Sequence, residues 1–148
     1  MRPNHESFPM IGDRRAAFLR WRFRQGPGPR GRFALLARRG STREIAGYAA
    51  VEREGDVAHL RDLFAQSREA TARLLDLLLP ALLLGGAVSV SFRLLGPSWL
   101  TDLLAARGFA RRESARSVFI DRGASCPLEA AALGDSGRWY LTDADEDG

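Results

Sequence analysis

Between Arg32 and Leu84 the apolar residues change their spacing, and that change limits the folds open to the chain. Three β-rich runs come first: Arg32–Arg39 (RFALLARR), Ile45–Arg53 (IAGYAAVER) and Val57–Ala65 (VAHLRDLFA). Gly40-Ser41-Thr42 and Glu54-Gly55-Asp56 separate them, and both triplets are turn chemistry. Such runs, split by tight turns, predict an antiparallel meander. After Ala65 the spacing becomes helical. Ser67 is a helix-capping residue type, and Arg68–Leu84 places Ala70, Leu74, Leu77, Leu78 and Ala81 on one face. Pro80 predicts a kink or a ragged last turn, and Gly85-Gly86 ends the helix.

On either side the pattern continues. The first dozen residues read as irregular. Asp13 is a candidate N-cap for a helix carrying Ala17, Phe18, Trp21 and Phe23, and the Pro- and Gly-rich 25–31 is a loop. Ala87–Leu94 (AVSVSFRL) is a nearly continuous β-forming run, as in a sheet interior. Pro97 opens a shorter helix through Arg107, capped by Gly108. Phe109–Arg122 reads as a strand, residues 124–137 as a loop or loose helical turn, and Arg138–Thr142 as a last strand. The class is α/β (α+β): a mixed, mostly antiparallel sheet with flanking helices.

Composition excludes several chemistries. At 148 residues the chain is one domain long. A single cysteine, Cys126, makes neither an internal disulfide nor a cysteine-built zinc site. His5 and His59 are too few for a histidine-rich metal centre, and no Gly-x-Ser-x-Gly elbow is present. The start MRPNHESF is not a secretory signal. Leu77–Phe92, the most apolar stretch, is broken by Pro80, Gly85 and Gly86 and falls short of the about 20 residues a spanning helix needs. These features point to a reduced, cytoplasmic compartment with no membrane partner. All 22 basic residues are arginine. Residues 1–43 carry 11 of them against Glu6 and Asp13, for a net +9, whereas residues 44–148 carry −5. The basic start RFRQGPGPRGR reads as a surface helix and loop in preference to a nucleic-acid contact.

The element order, the Gly108-Phe109 junction after a helix, and the ending Trp139-Tyr-Leu-Thr142 together resemble the GNAT superfamily of N-acetyltransferases over roughly residues 13–142. FLRWRF, IAGYAAVE and WYLTDADED are similar to the carboxy-terminal half of bacterial double-GNAT proteins. The resemblance implies that the strands at 57–65 and 87–94 run parallel and splay. Acetyl-CoA would be the co-substrate, with its pantetheine arm pairing along the backbone of Leu63, Phe64 and Ala65. Its pyrophosphate would sit over residues 66–71 at the helix start, with no metal involved. The acceptor would be a small-molecule or peptide amine.

The chain departs from the family where the cofactor should bind. The pyrophosphate loop there reads Gln/Arg-x-x-Gly-x-Gly/Ala, and here it reads Gln66-Ser67-Arg68-Glu69-Ala70-Thr71. Gln66 fits. Glu69 and Thr71 replace glycines that let backbone approach phosphate. Arg68 and Arg73 are the residues placed to compensate. The family's thiolate-protonating tyrosine is absent from Pro97–Arg107, where Trp99 is the aromatic; Tyr48 and Tyr140 read as half-buried packing residues on strands. His59 and Asp62 are the weak general-base candidates, and three residues apart on a flat strand they face opposite sides. These departures support an alternative: a non-catalytic GNAT-like half that packs as a homodimer or against a GNAT-like partner domain, through the leucine-rich helix and exposed Phe18, Trp21 and Phe23. Finally, Asp143-Ala-Asp145-Glu-Asp147-Gly148 matches only the start of a calcium loop and reads as a solvated acidic tail, residues 143–148.

Overall fold

A computed structural model describes residues 10–25, 32–37, 44–113, 118 and 130–146. Residues 26–31, most of the predicted strand 109–122, Cys126 and His5 lie outside them. The described segments form a mixed α+β fold. Met10–Ile11 (β1) precedes a helix, Ala16–Arg20 (α1), which runs on as a π-helical turn over Trp21–Gln25. Then come β2 (Arg32–Ala37), β3 (Ile45–Glu54), β4 (Val57–Ala65), α2 (Arg68–Leu84), β5 (Ser89–Phe92), β6 (Leu94–Leu95), α3 (Ser98–Ala105), α4 (Ala130–Gly134) and β7 (Trp139–Thr142). A 3₁₀ turn, Asp143–Asp145, follows β7.

Two sheets result, in the orders β2-β3-β4-β5 and β1-β7-β6. The meander is antiparallel, as the turn chemistry predicts, and β5 adds to β4 in parallel. Gly55 takes φ +57° in the β3–β4 turn, a conformation that costs glycine nothing. Gly47 answers a different need. A methyl group there would lie 2.7 Å from the Ala65 Cβ, so only glycine lets β3 and β4 approach at that point.

The core lies between the four-stranded sheet and the helices. Leu60, Leu63, Leu75 and Leu100 are at most 1% exposed, and Tyr140 joins them at 0%. A second cluster places Phe23 edge-on to Phe33, 5.5 Å between centroids, beside Ala50 and Ala144.

Several expectations need correction. Asp13 is not the N-cap. Arg15 holds that position, and the Asp13 carboxylate accepts from the Arg15 N–H at 2.8 Å. Phe23 is not exposed, because the π turn rolls it inward, while Trp21 stays half exposed. The buried stripe of α2 is Thr71, Leu74, Leu75 and Leu78, and Leu77 and Ala81 face out. The bounds of α2, Arg68–Leu84 with Pro80 inside and Gly85 as C-cap, are those expected. The run 87–94 is not a sheet interior. Its pairing with β4 covers only Ser89–Phe92, with alternate residues exposed, and the chain then switches sheets. Residues 109–113 are not in a strand, and Arg138 belongs to a 3₁₀ turn ahead of β7. Met10 and Ile11 leave the irregular start to pair with Trp139 and Tyr140.

Candidate functional site

The junction of β4 with α2 is where the sequence signals converge. β4 pairs with β5 only over Val57–Leu60, against Ser89–Phe92. Leu94 and Leu95 then turn to Thr142 and Leu141 of β7. β4 itself continues to Ala65 with β3 as its neighbour. The two parallel strands therefore part after Leu60. Arg61 is an extra residue there: Val51 faces Leu60 and Ala50 faces Asp62, so β4 bulges where β5 leaves it.

Leu63, Phe64 and Ala65 line the distal part of β4 and are all buried. Gln66 closes the strand, its N–H donating to the Ala46 carbonyl at 2.9 Å and its amide to the Ile45 carbonyl at 3.1 Å. Ser67 is the N-cap, as expected, with Oγ accepting from the Ala70 N–H at 3.1 Å. Glu69 is exposed, and bonding to Ser67 and to its own N–H holds its carboxyl below the ordinary value. Ala70 is half-buried against the core. Thr71 does not obstruct the helix mouth, because its side chain turns into the core and its hydroxyl donates to the Ser67 carbonyl at 2.9 Å. The Arg68 guanidinium lies 5.0 Å over the Trp99 ring, a cation–π contact, and Arg73 is exposed.

Behind this edge sits a buried polar network. Asp62 is 0% exposed. Its Oδ2 accepts from the Tyr48 hydroxyl at 2.6 Å and lies 2.9 Å from Arg14 Nε, and its Oδ1 accepts from the Thr142 hydroxyl at 2.8 Å. Arg14 also donates to both Asp145 oxygens, at 2.7 and 2.5 Å. Asp145 in turn accepts from the Thr142 N–H at 2.9 Å, closing a capping box on the last 3₁₀ turn. Burial pushes the Asp62 carboxyl up, against Arg14 and the two hydroxyls, which pull it down. Burial and the Asp62 charge push the Tyr48 phenol far up, so it stays a donor. Tyr140 is raised for the same two reasons. Both tyrosines are fully buried, not half-buried.

His59 and Asp62 share no partner. His59 Nδ1 meets Ser91 Oγ at 2.7 Å, and its Nε2 lies 3.7 Å from Glu54. Asp62, fully buried and held by Arg14, Tyr48 and Thr142, does not face an acceptor amine. Residues 143–146 are not a solvated tail either. Asp143 is 4% exposed and pairs with Arg61 and Arg93, and Arg22 donates to the carbonyls of Asp143 and Ala144. Their arginine partners neutralise the carboxylates that a calcium loop would use. Spacing gave no hint of this network, since Arg14 and Asp145 are 131 residues apart. Thr142-x-x-Asp145, a capping-box pattern, was the one local signal. The chain matches no family model, no curated protein and no solved structure.

Proposed function

We propose that this chain is a GNAT-type domain that binds acyl-CoA and transfers the acyl group to an amine. The parting of parallel β4 and β5 beside the start of α2 carries this reading. Beyond Leu60 the β5 side of β4 has no strand among the described residues, and the Phe64–Ala65 backbone offers an extended edge to a pantetheine arm. The helix mouth suits a diphosphate less well, because Glu69 puts a carboxylate into the first turn. The diphosphate therefore falls to the side chains of Arg68 and Arg73. The chain's contribution is to hold thioester and amine together, which is worth a large part of such a barrier.

One observation favours a second reading, a non-catalytic half. Asp62, a general-base candidate, is 0% exposed and is held by Arg14, Tyr48 and Thr142. The test is release of free CoA thiol from acetyl-CoA with polyamine and peptide acceptors, alongside sedimentation. Turnover by a monomer supports the acyltransferase. A stable dimer that neither binds CoA nor turns over establishes the second reading.

A further inference from the structure

Residues 14–43 contain ten arginines and no acidic residue. The structure divides the described members of this block in two. Arg14 and Arg22 are buried, at 8% and 5%, and hold the C-terminal turn. Arg20, Arg24 and Arg32 are exposed. Ala17, Arg20, Trp21 and Arg24 follow helical spacing and all face out, while Arg22 and Phe23 face in. Trp21 is 49% exposed with Phe18 tilted behind it, 5.9 Å between centroids. The Phe23–Phe33 contact fixes this helix against the start of β2. An exposed indole set between arginines, on a helix anchored from beneath by Arg22, is a stacking platform with phosphate contacts beside it.

We infer that this face binds single-stranded nucleic acid, with a base stacked on Trp21 and phosphates on Arg20 and Arg24. The inference is independent of the acyl-CoA reading. An extended polyanion fits because the block carries no carboxylate to repel it, and a flexible single strand can present an unpaired base to the indole. The test is fluorescence anisotropy of a labelled oligouridylate with the full chain, over a salt series. Trp21→Leu, which keeps an apolar anchor but loses the ring face, is expected to weaken binding about tenfold. Trp21→Phe retains most of the affinity. Arg20→Ala and Arg24→Ala each lower the slope of log K against log salt by about 0.7. Absence of binding at low salt overturns the inference. So does equal affinity of wild type and Trp21→Leu, or equal affinity for inorganic polyphosphate and oligouridylate, since either means plain charge attraction.

Discussion

The two halves of β4 live in different surroundings. Val57–Leu60 has a strand on each side, and its polar residue, His59, sits near the surface with Ser91 and Glu54. Beyond the Arg61 bulge, Asp62–Ala65 is buried: Asp62 meets Arg14 and Thr142, and the Phe64 ring lies 6.5 Å from that of Tyr140. Loss of a strand partner exposes backbone and invites a ligand. In this chain the opening is partly lined by side chains from the first and last elements. The edge proposed for the cofactor is therefore also beside a buried ionic network.

The largest expected effect comes from breaking that network. Asp62→Ala removes one of the two carboxylates that Arg14 pairs with and strips the Tyr48 and Thr142 hydroxyls of their acceptor, at a cost of about 3–5 kcal/mol, read as a lower urea midpoint. If Asp62→Ala costs no more than His59→Ala, the contrast between the two halves is wrong. Ser67→Ala, at the mouth of α2, ranks next at about 1 kcal/mol, by loss of one cap. His59→Ala belongs with ordinary surface changes, within about 0.5 kcal/mol. The smallest effect is that of Glu69→Gln. Because the folded-state pKa of Glu69 is depressed, its contribution is present above the unfolded value and fades as pH falls through the folded one. Thermal melts of Glu69→Gln and wild type should therefore differ slightly at neutral pH and converge in acid.

The meander and the start of α2 were legible because their determinants are local. Gly55, Ser67 and the β-forming runs of β3 and β4 each act within a few residues. The break after Phe92 was not, because Leu94 and Leu95 leave the sheet to pair with β7, far along the chain. The inward turn of Phe23 depends on a π-helical turn that no apolar spacing encodes. For the site, the position of the helix mouth was readable. The sealing of Asp62 was not, since it needs Arg14 and Thr142 from opposite ends of the chain. Gly12 shows how tight that closure is, because a methyl group there would collide with the Asp145 carboxylate.

The central claim is that the distal half of β4, despite its lining, still admits acyl-CoA. Titration of the full chain with acetyl-CoA, followed by thermal unfolding, tests it most directly. The account predicts a concentration-dependent rise in Tm, equivalent to about 2.7 kcal/mol at 100 times the Kd. An unmoved Tm at millimolar acetyl-CoA contradicts it.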